Sequence, residues 1–157
     1  MGTLNEINEA VDIYIKNEML LSQYYSLCIP VFIDHAEKFA ELSRQEKEHA
    51  EFFREIKKSI AANANSWAMG ACNVKTIVMI GEEISAKIDE ILSDTVNHKR
   101  IISFIADVEH SLIETEFHKA FKTDIPEYTN MLARIMRETI NHQNTLREIL
   151  LKMESFK

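Results

Sequence analysis

Apolar residues recur three or four positions apart along most of this 157-residue chain. That spacing lines them up on one face of an α-helix, so that each segment can bury a continuous stripe in a shared core. The chain has only 3 Gly and 2 Pro, which is too few for the many turns of a β-rich fold. The pattern therefore predicts an all-α fold, with residues 1–157 forming a single domain.

Four long helices are predicted, in two pairs. The first pair covers residues 3–29 and 34–62, with Pro30 interrupting the pattern between them. The second pair covers residues 99–121 and 124–155. Because the connection within each pair is short, each pair should form an antiparallel hairpin, and the two hairpins together a four-helix bundle.

The segment 63–98 is expected to cross from one hairpin to the other. It begins with the aperiodic stretch AANANSWAMGACN, which is typical of a loop. Isoleucines then recur on one side of a helix, at positions 77, 80, 84, 88 and 91. These predict a short fifth helix over about residues 76–93 within a long crossover.

Polar residues interrupt each of the four long stripes near its middle. In chain order they are Glu18, then Glu46 with His49, then Glu109, then Thr139 with His142. Counting along each helix from its hairpin loop, at about 1.5 Å per residue, brings the polar residues of each hairpin into one layer. Glu116 continues the third stripe about 10 Å further along the axis, too far to join that layer.

Buried carboxylates at one height repel one another and lose their hydration, so they need protons or a positive charge beside them. No Lys or Arg lies on these stripes. A metal cation would supply the charge, and carboxylate oxygens with imidazole nitrogens suit iron or manganese better than a closed zinc site. The predicted metal ligands are Glu18, Glu46, His49, Glu109 and His142.

A single Glu-x-x-His pair on a helix is a common coincidence, and a lone core histidine usually has an ordinary hydrogen-bond partner. The matched depth of five residues on four stripes is what favours a metal site. The remaining histidines lie off the stripes and are predicted at the surface: His35, His98, His110 and His118.

The segments NEMLLSQYY and SRQEKEHAEFF resemble the rubrerythrin-like branch of the ferritin-like superfamily. The resemblance extends over nearly the whole chain and implies a ferritin-like four-helix bundle with a carboxylate-bridged di-iron centre. It implies that Glu18 and Glu109 are terminal ligands and that Glu46 bridges the ions. It further implies nitrogen ligands at His49 and His142, and a hydrogen-bond donor beside the centre at Tyr25.

Two positions, Thr139 and Glu116, are unlike the family pattern. Thr139 stands where relatives have a second bridging Glu, and Glu138 is about 100° away round the helix, so that only a π-bulge could turn it inward. Glu116 stands where relatives usually have a second Tyr. The alternatives are therefore two iron ions, one ion, or another metal such as manganese or zinc.

The resemblance implies an oxidoreductase or peroxidase that oxidises ferrous iron with oxygen or peroxide, in peroxide scavenging, protection from oxidative stress or iron handling. The paired Cys-x-x-Cys motifs of a rubredoxin-like module are absent, so electrons would come from an external donor or from the iron itself. One alternative is a degenerate bundle that binds a metal or a partner without turnover. Another is a hydroxylase, which would need a pocket for an organic substrate.

The net charge of −7, without a basic stripe, argues against nucleic-acid binding and favours cations as partners. No export signal or apolar run of about 18 residues is present, which argues against a membrane span and predicts a cytoplasmic protein. Cys28 and Cys72 are predicted to be reduced packing residues.

Four apolar residues lie off the stripes: Met19, Leu20, Phe52 and Ile113. They could form the surface of a homodimer, which is the expected oligomer, or they could pack beneath the crossover.

Overall fold

The computed structural model describes residues 3–115 and 119–155. Within these residues the chain forms five α-helices: α1 (Leu4–Cys28), α2 (Ala36–Ala62), α3 (Val74–Leu92), α4 (His98–Glu114) and α5 (Pro126–Ser155). Two strands, β1 (Trp67–Met69) and β2 (Phe121–Thr123), form a small antiparallel sheet. Short 3-10 turns precede α2 and β1, at Ile33–His35 and Ala64–Ser66. The prediction of an all-α fold is confirmed, with this sheet as the addition.

Side-chain caps set the starts of three helices. The side-chain oxygens of Thr3, Asn73 and Asn97 each accept a hydrogen bond from the backbone N–H three residues later, at the starts of α1, α3 and α4. Such a cap satisfies one of the backbone donors that the first turn of a helix leaves without a partner.

Helices α1 and α2 pack side by side in opposite directions. Ser22 donates to the backbone oxygen of Ser43 over 2.9 Å, and further along the pair Lys57 reaches Asp12 at 2.6 Å. Helices α4 and α5 are also antiparallel, because Lys99 near the start of α4 pairs with Glu154 near the end of α5 at 3.1 Å.

Helix α3 of the crossover packs against α1. The Asn17 side chain donates to the backbone oxygen of Ile77 at 2.8 Å. The face of α3 that is turned toward the core buries Ile80 and Ile84. Of the residues considered for a homodimer surface, Met19 is exposed, whereas Leu20 and Phe52 are partly buried against the core. The homodimer stays a prediction.

The third long helix is shorter than predicted. It ends at Glu114, and Phe121 lies in β2, where it pairs with Met69. The Phe121 ring packs edge-on against Tyr14 and Phe53, so burial and strand pairing there outweigh the helical spacing. The predictions made for Glu116 and His118 lie outside the described residues.

Of the other histidines, His98 is exposed, and His35 and His110 are partly exposed. Cys28 is buried and Cys72 partly buried, and both are free thiols. In the described part of the chain, no helix is long and apolar enough to cross a membrane.

Gly70→Ala should destabilise the fold by about 1–3 kcal/mol. An added Cβ would lie 1.9 Å from the backbone oxygen of Lys119, and Gly70 also donates its N–H to the backbone oxygen of Ala120 at 2.7 Å. Urea unfolding measures the change, with the exposed neighbouring substitution Ala68→Ser as the control. Equal midpoints for the two variants would contradict the close backbone approach.

Candidate metal centre

The structure brings together all five residues predicted as metal ligands. Glu18 comes from α1, Glu46 and His49 from α2, Glu109 from α4 and His142 from α5. Each is at most 4% exposed. The apolar stripe of each helix extends above and below them, so the polar layer lies inside the core.

These residues form two overlapping groups, each of which could hold a metal ion. The first position consists of Glu18, Glu46 and His49, and the second position of Glu46, Glu109 and His142. In each position one ligand atom per residue lies within 4.8 Å of the others. Glu46 belongs to both positions.

Glu46 turns one carboxylate oxygen toward each histidine. Its Oε2 is 3.2 Å from Nδ1 of His49, and its Oε1 is 2.8 Å from Nδ1 of His142. The other two carboxylates lie slightly further from the imidazoles, with Glu18 Oε2 3.6 Å from His49 Nδ1 and Glu109 Oε1 3.4 Å from His142 Nδ1. Both imidazoles therefore direct Nδ1 toward the inner carboxylates, Glu18, Glu46 and Glu109.

The outer nitrogen of each imidazole has a partner of its own. Nε2 of His142 donates to Oε1 of Gln45 at 2.7 Å, and Nε2 of His49 lies 2.6 Å from Oε2 of Glu138. Metal-binding histidines usually donate their second N–H to a carboxylate or carbonyl oxygen, which leaves the first nitrogen free for the ion. Both histidines of the centre have this arrangement.

Tyr25 contacts the second position from α1. Its buried hydroxyl donates to Oε1 of Glu109, as the family resemblance implies. This hydrogen bond leaves Oε2 of Glu109 without a partner.

Thr139 supplies no ligand atom to either position. Its hydroxyl donates to the backbone oxygen of Ile135, one turn earlier in α5, at 2.8 Å. Glu138 does not replace the missing carboxylate, because α5 continues as an α-helix and, of the five candidate ligands, Glu138 contacts His49 at its outer nitrogen.

Burial and mutual repulsion act strongly on the inner carboxylates. Burial raises the pKa of Glu18 well above its ordinary value, and the nearby charge of Glu46 raises it further. Burial and Glu46 also raise the pKa of Glu109. Burial opposes the charge of Glu46 itself, but the neighbouring imidazoles hold its pKa well below the ordinary value. Glu46 is therefore the carboxylate that stays ionised.

For the two imidazoles, burial lowers the pKa and the neighbouring carboxylates raise it. Burial alone would lower the pKa of His49, but hydrogen bonds to Glu138 and to the inner carboxylates outweigh it and raise the pKa to about 12. The pKa of His142 rises to about 10 because Glu46 and Glu109 outweigh its burial. Without a metal, these imidazoles favour the protonated form beside the ionised Glu46.

Four buried polar atoms of the candidate ligands show whether hydrogen bonds within the protein satisfy all of them. Glu18 Oε2, Glu46 Oε1, Glu109 Oε2 and His142 Nδ1 make no hydrogen bond, although Glu46 Oε1 and His142 Nδ1 lie 2.8 Å apart as an ion pair. Such atoms are rare in a purely structural ion-pair cluster, since nearly all buried polar atoms in proteins are hydrogen-bonded. All four belong to the two positions, and carboxylate oxygens with imidazole nitrogens are ligands for iron, manganese and zinc. The donor set fits a bound cation.

The sequence patterns did not identify Gln45, which lies one residue from Glu46 and off the apolar stripe. Gln45 and His142 help to line a cleft of about 360 Å³ between α2 and α5, whose rim includes Glu37, Glu41 and Glu148. The ring of His142 separates this cleft from the inner carboxylates. No periodicity could reveal Gln45, because its role depends on how α5 is rotated against α2.

The chain matches no protein-family model, no characterised protein and no solved structure.

Proposed function

We propose that this protein is a ferritin-like, rubrerythrin-like metal-binding protein that holds two divalent ions inside a four-helix bundle. Iron is the ion that we propose for both positions. The observation that supports this most strongly is the set of four buried ligand atoms without hydrogen bonds, contributed by four helices. Manganese and zinc are the alternative ions, because the same donor atoms bind them.

Five side chains would hold the ions. Glu18 and His49 would bind an ion in the first position, Glu109 and His142 an ion in the second, and Glu46 would bridge the two. Three carboxylates offset most of the charge of two divalent ions once both imidazoles are neutral. Tyr25 would hold Glu109 in place through its hydrogen bond.

Bound iron would supply the redox chemistry, in which ferrous iron is oxidised by oxygen or peroxide. The protein would contribute a dry surrounding and fixed ligands, because every inner carboxylate is almost fully buried. The cleft lined by His142 would give an ion or peroxide an approach from the surface. Electrons would come from the ferrous ions or from a separate donor.

A non-catalytic metal-binding protein is the second candidate function. It is favoured by Thr139, whose hydroxyl is engaged with the helix backbone and leaves only Glu46 to bridge the two positions. Such a centre would bind metal without turnover.

Anaerobic loading of metal-free protein with ferrous iron, followed by elemental analysis and exposure to oxygen or peroxide, separates these functions. We expect two iron ions per chain, and iron oxidation faster than with a Glu46→Ala variant, which lacks the shared ligand. Bound iron without accelerated oxidation would support the second candidate. A wild-type protein that binds no iron, manganese or zinc would contradict both.

Binding of Zn²⁺ to the metal-free protein should release protons at pH 7. The pKa values of His49 and His142, about 12 and about 10, keep both imidazoles protonated there, and a metal ion must displace these protons. Affinity should therefore rise with pH, by about tenfold per pH unit for each proton displaced. Calorimetry in two buffers of different ionisation enthalpy counts the protons, and no release would contradict binding through these histidines.

A further inference from the structure

Glu138 contacts the candidate centre from outside. Its Oε2 lies 2.6 Å from Nε2 of His49, on the opposite side of the imidazole from the inner carboxylates. Its Oε1 accepts a hydrogen bond from Nε of Arg134 at 3.1 Å. Both oxygens of Glu138 are thus engaged, and its side chain is only 16% exposed.

A chain of ion pairs holds Glu138 in this position. Arg134 also pairs with Glu48 of α2 at 2.9 Å, and Arg44 pairs with the other oxygen of Glu48 at 2.5 Å. The guanidinium of Arg134 lies 5.1 Å from the centre of the Phe52 ring, which packs near His49. Charge-assisted hydrogen bonds shared between α2 and α5 fix the carboxylate more firmly than a single surface pair would.

The two histidines differ in the partner of the outer ring nitrogen. The outer nitrogen of His142 meets the neutral amide of Gln45 beside an open cleft, whereas that of His49 meets a carboxylate braced by an arginine. An anionic acceptor holds an imidazole N–H more strongly than an amide does, and it makes the opposite nitrogen a better electron donor to a metal. The contacts therefore favour different roles for Glu138 and Gln45.

The geometry points to Glu138 as a positioning residue that acts through His49 on the first position, and not on the second. It keeps the hydrogen on Nε2 and the ring fixed, so that Nδ1 is directed at the ion. This inference rests on the proposed function, because it assumes that the first position binds a metal. It also explains why a Glu one residue before Thr139 does not serve as a ligand.

Zn²⁺ titration of the wild type, Glu138→Ala and Glu138→Gln tests this role. Ala removes the acceptor, and we expect the affinity for one of the two ions to fall by about 10–100-fold while the other ion binds as before. Gln keeps an oxygen that can accept from Nε2–H, so its loss should be smaller. Glu127→Gln, which removes a charge from an exposed site near the start of the same helix, is the control and should bind like the wild type.

Nitrogen-15 NMR of the histidine side chains gives a second measurement, which reports directly on the hydrogen bond between His49 and Glu138. In the wild type the Nε2 proton of His49 should exchange slowly with solvent, with or without Zn²⁺. It should exchange quickly in Glu138→Ala and slowly in Glu138→Gln. Should the Ala variant fail to fold, the Gln variant must still show a weakened first ion, and wild-type binding by Gln would overturn the inference.

The outcomes separate this inference from the proposed function. A wild type that binds no Zn²⁺ contradicts the metal centre, whatever the exchange rates are. A wild type that binds two ions, together with Glu138→Ala binding both equally well or keeping the slow His49 proton, overturns the role of Glu138 and leaves the metal centre intact.

Discussion

Glu46→Gln should abolish tight binding of both metal ions. Glu46 is the residue common to the two positions, with one oxygen toward each imidazole. Loss of a residue that only supports a metal ligand typically costs 10–100-fold in affinity, so losing a shared ligand should cost more than about 100-fold at each position. Zn²⁺ calorimetry and elemental analysis measure the loss, and unfolding of the metal-free variant reports whether the fold is intact.

Glu109→Gln and Glu18→Gln are the matched controls for Glu46→Gln. Each removes one carboxylate of the same buried layer but belongs to a single position, so each variant should keep one ion. If Glu46→Gln also keeps one ion, the two positions do not share that carboxylate. If all three variants bind two ions, the ions lie elsewhere.

Thr139→Glu should have opposite effects on the metal-free and the metal-loaded protein. A fourth carboxylate in a buried layer without further positive charge should destabilise the metal-free fold by about 3 kcal/mol. With metal present, the added carboxylate can bridge both positions, which should raise the affinity for the second ion at least tenfold. Urea unfolding with and without Zn²⁺ measures both effects, since a ligand that binds only the folded state raises its stability.

Two controls accompany Thr139→Glu. Thr139→Gln introduces a side chain of similar size without the charge, and Thr139→Val removes only the hydroxyl that bonds to Ile135. Neither should raise metal affinity. A Glu variant that destabilises the protein equally with and without Zn²⁺ would show that position 139 does not face the two metal positions.

The residues of the candidate centre were predictable because their positions follow from the regular geometry of single helices. A helix rises by a constant amount per residue, so stripe membership and distance from the hairpin loop suffice to bring Glu18 and Glu46 to one height. Stripe membership alone identified Glu109, because α4 ends before the second loop. The contacts of Glu138 and Gln45 were not predictable in this way. Both lie off the stripes, and their roles depend on the rotation of α5 against α2, which the spacing of apolar residues leaves undetermined.

The sheet was not predictable for a different reason. Its strands are three residues long, and its paired residues Met69 and Phe121 lie 52 positions apart in sequence. Strand pairing over such a separation carries no periodic signal in a segment so short. The apolar spacing up to Phe121 also suits a helix, and only contact with Tyr14 and Phe53 distinguishes the extended form.

The small sheet joins the chain that follows α2 to the chain that precedes α5, and these two helices contain the two histidines. His49 precedes Trp67 by 18 residues and His142 follows Thr123, the partner of Trp67, by 19. Nearly equal lengths of chain thus run from one hydrogen-bonded backbone pair to the two histidines, whose rings stack with centres 5.7 Å apart. A residue inserted within α5 between Pro126 and His142 would therefore turn the His142 ring by about 100° round the helix, away from the ring of His49.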